Sequence, residues 1–315
     1  MKPDYKKILD PEIWKFIQNT ESFYSETEEK DMSITEIRSA YNEMCKFFSI
    51  AKPTEVKSED KFIQSVPIRV YHKFSNINKK VSIIYFHGGG FILGGLDSHD
   101  SFCSEICAAT SLELFSVDYK LAPEFSPYMA LKECMEFIKW HESNIKTPYI
   151  LLGDSAGGLI AANITHQMRH SLKFLLGQLL IYPALGGDMS KGSYIYHANA
   201  PLLTTEWIVS NRRKFFKNNN LIENEFFPLK NNDFKNIPPT VVFSAECDPL
   251  SDDGKIYTQK LKLNNNNAKC FLEKGLVHSY IRAINVSKKA NASFQKIVKE
   301  LNHLAEGDWP HDVLV

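Results

Sequence analysis

Four short apolar runs limit what this chain can become: VSIIYF (81–86), PYILLG (148–153), FLLGQLLIYP (174–183) and TVVFSAE (240–246). VSIIYF is continuous rather than alternating, as a strand covered on both faces must be. LELFSVDY and AKCFLEK predict two further strands. Between and after them, MALKECMEFIKWH, LIAANITHQMRH, GKIYTQKLKL and NASFQKIVKELNHL place apolar residues at helical spacing. Strand and amphipathic helix taking turns predicts an α/β fold, with a mostly parallel central sheet and helices on both faces. At 315 residues the chain is long enough to bury a substantial core.

Two stretches depart from that rhythm. Residues 1–55 read as helices, with DPEIWKFIQ and ITEIRSAYNEMCKFF carrying the period and Pro53 ending it. Residues 185–235 contain helical pieces but no convincing strand. FIQSVPIRVYH alternates and predicts one strand between the N-terminal helices and VSIIYF. The asparagine clusters at 218–220, 231–232 and 264–267 read as surface turns. Three Asn-x-Ser/Thr triplets begin at Asn163, Asn285 and Asn291. They fall in predicted helices, which argues against their use for glycosylation.

Charge and cysteine content exclude several classes. Lys plus Arg equals Asp plus Glu, 37 against 37, so nothing here recruits nucleic acid or an anionic membrane. The N-terminal residues lack the apolar stretch of a secretion signal, and no run reaches the ~18 apolar residues of a spanning helix. Six scattered cysteines (45, 103, 107, 134, 247 and 270) supply no second pair to complete a zinc site. Reduced thiols, a cytoplasmic location and no metal or cofactor are the expectations.

The chemistry concentrates at one corner. ILLGDSAGGLI (150–160) passes from strand to helix through Gly153-Asp154-Ser155-Ala156-Gly157, a G-x-S-x-G pattern. In such a turn the serine takes a strained backbone conformation and its hydroxyl stands clear of the sheet, with the next helix aiming its N-terminus at any charge forming there. FHGGGF (86–91) follows the first buried strand, and its glycines free the amides of Gly88, Gly89 and Gly90 to join that of Ala156 in an oxyanion hole. No Lys-Ser/Thr follows, so a phosphate-binding loop is excluded.

A serine nucleophile needs a base, and the base an orienting acid. His278 lies in a loop after the strand AKCFLEK, whereas His166 and His170 ride the helix leaving Ser155. Loops at strand ends carry the chemistry in open α/β sheets, which favours His278. Asp248 directly follows TVVFSAE; Glu246 is the alternative, and Asp252 and Asp253 lie about a turn further on. Ser98-His99-Asp100 is a literal Ser-His-Asp string, but adjacent residues cannot line up as a relay.

The motifs HGGGFILGGLDSHD (87–100), DYKLAPE (118–124), GDSAGG (153–158), LIYP (180–183), AECDPLSDDG (245–254) and VHSY (277–280) occur in the order found in the hormone-sensitive-lipase-like branch of the α/β-hydrolases. Within that branch the chain most resembles bacterial acetyl esterases. The resemblance implies Ser155 as nucleophile, Asp248 as acid, His278 as base and an oxyanion hole from Gly89, Gly90 and Ala156. It also implies a helical cap, built from residues 1–55 and the insertion at about 185–235 on a hydrolase domain spanning 56–315. Short-chain acyl esters, acetyl to butyryl, are the expected substrates. An amidase or deacetylase using the same three residues is the enzymatic alternative; a binding or interaction module is the non-enzymatic one. A homodimer and an accessory protein partner stay open. Two departures from the family pattern stand out: a proline one position early, at Pro127, and Ser279 where glycine is common after the histidine.

Overall fold

A computed structural model describes residues 3–24, 32–74, 80–215 and 225–311. The asparagines at 218–220, singled out above, lie outside the described residues. Its centre is one eight-stranded sheet in the order β1-β2-β4-β3-β5-β6-β7-β8. The strands are β1 (Val56–Ile63), β2 (Val66–Lys73), β3 (Ser82–Phe86), β4 (Glu113–Val117), β5 (Tyr149–Asp154), β6 (Leu175–Ile181), β7 (Thr240–Cys247) and β8 (Ala268–Val277). From β4 through β8 every pairing is parallel; β2 pairs antiparallel with both β1 and β4.

The helices are α1 (Tyr5–Ile8), α2 (Pro11–Ser22), α3 (Ile34–Phe48), α4 (Asp100–Thr110), α5 (Pro127–Asn144), α6 (Ala156–Met168), α7 (Ser193–Tyr196), α8 (Thr205–Phe215), α9 (Ser251–Leu263) and α10 (Lys288–Glu306). None is long and apolar enough to cross a membrane among the described residues. The period-2 geometry of the strands splits the core in two. Ile83, Tyr85, Ile150, Leu152, Val241 and Phe243 join one cluster with Ile106 of α4 and Phe294 and Ile297 of α10. Their neighbours Ile84, Phe86, Tyr149, Leu151 and Val242 join the other, with Phe137 of α5, Ile160 of α6 and Tyr257 of α9. Both faces are therefore covered, which is why the strands carry no polar alternation.

The N-terminal helices pack into the first cluster through Ile13, Phe16 and Ile17 of α2 and Tyr41, Met44 and Phe48 of α3. Each has a built start. Asp10 accepts from the Ile13 amide with Pro11 at the first helical position, and Ser33 forms a reciprocal capping box with Glu36. The early proline has the same function: Pro127 opens α5 and Ser126 caps it. Residues 185–235 contribute α7 and α8 and no strand among those described.

FIQSVPIRVYH is not one strand. β1 turns into β2 at Gln64-Ser65, with Gln64 left-handed at φ 56° and Ile63 paired with Val66. β1 is the sheet's edge and mostly exposed, so VKSEDKF carries no apolar period to announce it. Asn285 lies in a turn, not a helix, while Asn163 is buried inside α6. The six cysteines are all unpaired thiols, five of them buried.

The end of β3 and the start of α6 are held at backbone contact. A Cβ added at Gly157 would stand 1.9 Å from the Phe86 carbonyl oxygen and 2.7 Å from that of His87. Neither atom can move without breaking the sheet. Gly157→Ala is therefore expected to lower stability by ~3 kcal/mol or more, read as a fall in the urea midpoint. A midpoint within error of wild type would mean that β3 and α6 separate easily.

Candidate active site

Ser155 sits where β5 ends and α6 begins, at φ 52° and ψ −114°. A side chain in this left-handed region is costly and persists only where its surroundings hold it. Here the Ser155 amide donates to the Ile181 carbonyl of β6 at 2.9 Å, and its carbonyl accepts from Ala184 at 3.2 Å and Leu159 at 3.1 Å. The turn is thus pinned to the next strand and to its own helix, and Oγ projects into a cavity.

His278 directly follows β8 and Asp248 directly follows β7, so both arrive at the same end of the sheet as Ser155. His278 Nε2 is 2.9 Å from Ser155 Oγ, and its Nδ1 is 2.7 Å from Asp248 Oδ2. Asp248 is fully buried, and its other oxygen accepts from the Leu250 amide at 2.8 Å. The Tyr182 ring lies 4.6 Å, centroid to centroid, from the imidazole. The three groups form one continuous hydrogen-bonded line. Proton movement from a hydroxyl to an imidazole needs that geometry.

The other acids are engaged elsewhere. Glu246 accepts from the Gly275 amide at 2.8 Å. Asp252 accepts from the Ser193 amide at 2.8 Å. Asp253 accepts from the Leu185 and Gly187 amides and from the Tyr194 hydroxyl. His166 is buried and reaches the Tyr257 hydroxyl at 3.1 Å, whereas His170 is exposed. Of the Ser98-His99-Asp100 string, Ser98 Oγ does meet His99 Nδ1 at 2.9 Å, but Asp100 turns to Arg69 and Tyr71. The carboxylate facing His99 Nε2 is that of Asp154, at 3.8 Å.

The glycine loop divides its amides. Gly88 donates to Asp154 Oδ1 at 2.7 Å, so this amide is occupied and Gly88 is not a free oxyanion donor. The Gly89, Gly90 and Ala156 amides have no acceptor among the described residues. The loop could not carry side chains: Gly89 and Gly90 have φ of 121° and 62°, and a Cβ at Gly89 would fall 2.1 Å from the Leu93 carbonyl oxygen. His87 holds the base of the loop. It stacks on Tyr119 at 4.2 Å, its Nδ1 donates to the Gly88 carbonyl, and its own carbonyl accepts from Tyr119. Burial, with the nearby His99, pushes its pKa down to about 3, so the ring is neutral.

The cavity above Ser155 has a volume of about 530 Å³. The apolar Leu159, Trp207, Ile208, Phe226 and Phe227 line it, together with Thr20, Glu21, Tyr24, Tyr41, Ser279 and Arg282. Phe16 also lines it; Phe48 packs on Phe16 at 4.9 Å, and Phe47 is exposed. Phe226, Phe227, Tyr41 and Arg282 carried no usable pattern in the sequence. They come from an asparagine-rich insertion, an N-terminal helix and a short turn after the histidine. Ser279 takes the left-handed conformation that glycine usually fills, at φ 65°.

A model described as the alpha/beta hydrolase fold matches residues 83–282. The chain is 31% identical over 231 residues to the carboxylesterase NlhH of Mycobacterium tuberculosis, covering 70% of this chain and 72% of the relative. It is 26% identical over 310 residues to an arylesterase of Saccharolobus solfataricus, covering 93% and 99%. A hyperthermophilic esterase from Pyrobaculum calidifontis superposes with a TM-score of 0.83 at 24% identity, over 95% of this chain and 99% of that one. The chain therefore belongs to the α/β-hydrolase family. Its relatives within that family are carboxylesterases and esterases, and it is an enzyme of that kind.

Asp253 ties the start of the 185–235 insertion to the turn behind Asp248. Burial raises its pKa from 3.8 to about 7. A folded-state pKa above the unfolded value means that the folded state binds the proton more tightly. The stabilisation is full below about pH 4 and is lost as pH rises through about 7. Thermal midpoints of wild type should therefore decline between pH 5 and pH 8 by more than those of Asp253→Asn. Parallel slopes for the two proteins would remove Asp253 as their source.

Proposed function

We propose that the protein hydrolyses short-chain carboxylic esters through an acyl-enzyme intermediate. The observation that carries this reading is the unbroken line Ser155 Oγ–His278 Nε2–Asp248, lying beside amides that lack acceptors. Ser155 Oγ attacks the ester carbonyl carbon while His278 Nε2 takes the hydroxyl proton. The carbonyl π pair moves to oxygen, and the Gly89, Gly90 and Ala156 amides receive the oxyanion. Removing one such donor typically costs ~3 kcal/mol of barrier. As the tetrahedral intermediate collapses, the bond to the alcohol oxygen breaks and His278 delivers the proton to it. Water, deprotonated by the same nitrogen, then attacks the acyl-serine carbonyl; the acyl–Oγ bond breaks, His278 returns the proton to Ser155 Oγ, and the acid is released. Asp248, fixed by the Leu250 amide, keeps Nδ1–H bonded and holds Nε2 toward Ser155.

The carboxylesterase and arylesterase relatives support ester cleavage. The aromatic walls support a short acyl group. Trp207 closes over the glycine loop so tightly that a Cβ on Gly90 would meet its ring at 2.4 Å, and Phe226 and Phe227 line the same cavity. A long chain would have to displace these rings. Helices α2 and α3 and the 185–235 insertion form the cap in this reading.

Rates across p-nitrophenyl esters of graded length should peak from acetate to butyrate and fall steeply beyond. Ser155→Ala should fold normally and lose at least ~10³-fold in kcat. Asp248→Asn should be far more damaging than Asp252→Asn. Faster hydrolysis of palmitate than of butyrate esters would overturn the short-chain reading, and near wild-type turnover in Ser155→Ala would remove the nucleophile.

A further inference from the structure

Arg282 is a charged cavity residue whose chemistry the mechanism above leaves unused. It lies four residues after His278, on the short 3-10 turn Tyr280–Ala283. Its Nη2 donates to the Tyr41 hydroxyl, and its guanidinium carbon stands 5.0 Å from the centre of the Tyr41 ring. Nε is shielded from solvent and has no acceptor. No carboxylate among the described residues lies within ion-pair distance of the group. The nearest acid to feel its charge, Asp154, is already held by Tyr85 at 2.6 Å, Gly88 at 2.7 Å and Tyr182 at 3.4 Å. A guanidinium presents five N–H donors in a planar fork that fits a carboxylate. Leaving the buried Nε donor unmatched is costly unless a ligand meets the fork.

The position selects which part of the ester would do so. The leaving oxygen must take its proton from His278 Nε2, so the alcohol portion lies on the His278 side. Ser279 and Arg282, which follow His278 in the chain, line the cavity with Tyr41, which Arg282 contacts; Leu159, on the nucleophile's own helix, lines it too, with Phe226 and Phe227. Glu21, which is exposed, is the other acid lining the cavity besides Asp154; when ionised it repels an anionic group, so the attraction of one falls to Arg282.

We propose that Arg282 is a specificity-determining residue that receives a carboxylate on the alcohol portion of the substrate, so that the preferred esters are short acyl esters of hydroxy acids. This rests on the ester-hydrolase reading above. The test compares 4-acetoxybenzoate with its neutral counterpart 4-acetoxybenzamide. Titrated calorimetrically into Ser155→Ala, which need not turn either over, the carboxylate should bind about tenfold more tightly, the factor a charge-assisted hydrogen bond carries. In the enzyme with Ser155 intact, the ratio of kcat/KM for carboxylate over amide should fall about tenfold in Arg282→Gln, through KM. Arg282→Lys, which keeps the charge without the fork, should restore part of it. Equal affinity of the two ligands for Ser155→Ala overturns the proposal however Arg282→Gln folds, and so does a preference that survives Arg282→Gln. Absence of hydrolysis for every ester would instead count against the ester-hydrolase reading, while the binding comparison still decides the role of Arg282.

Discussion

The buried carboxylate of Asp154 is the joint on which the site depends. It is the last residue of β5 and 1% exposed, yet it accepts from the Tyr85 hydroxyl of β3, the Gly88 amide of the glycine loop and, more weakly, the Tyr182 hydroxyl after β6. Three adjacent strand ends therefore converge on one side chain next to Ser155. A polar group so deep is tolerated only where its oxygens are hydrogen-bonded, and these donors bond them. The geometric consequence is functional. The occupied Gly88 amide locks the loop so that the next two amides, Gly89 and Gly90, are presented without acceptors. Preorganised dipoles of this kind are worth more than flexible ones because no reorganisation is needed as charge develops.

The same economy of space explains the glycines. Gly88 lies against Asp154, where an added Cβ would stand 2.3 Å from a carboxylate oxygen, and Gly153 lies against the Gly157 carbonyl at the same distance. Close backbone approach brings β3, β5 and α6 together, and that approach sets the distance between loop amides and nucleophile. Packing density and transition-state geometry are one constraint here, since any bulk added to relieve the backbone would move donors off the oxyanion. A 1 Å displacement at such a site is enough to cost orders of magnitude in rate.

What could be read from sequence follows from how each element earns its pattern. The central strands are buried on both faces, so VSIIYF and TVVFSAE announce themselves, and Ser155, His278 and Asp248 lie at strand ends that the pattern locates. β1 is an edge strand facing water, so VKSEDKF looks like a loop and its turn at Gln64-Ser65 escaped notice. The role of Gly88 was misread because three consecutive glycines look equivalent in sequence. Only the Asp154 carboxylate, 66 residues away in the chain, distinguishes the first from the other two. Tyr41, Phe226 and Arg282 meet around the cavity from three separate segments, and no local period records such a meeting.

The two characters of the cavity bear differently on selectivity. An apolar wall discriminates weakly, because one methylene more or less is worth ~1–3 kcal/mol. In the short-chain reading proposed above, Leu159, Phe226 and Phe227 grade acyl chains by length but cannot strongly reject a near isostere. A polar group held without a partner behaves otherwise, since a ligand that lacks the matching atom leaves it desolvated and unpaired. Where Arg282 receives the alcohol portion as proposed, that penalty falls on the leaving alcohol and not on the acyl group. The apolar lining residues come largely from the 185–235 insertion and α6, and Tyr41 and Arg282 from α3 and the turn after His278. Because both sets of residues lie outside the sheet, the sheet can hold the reacting groups fixed while the walls vary.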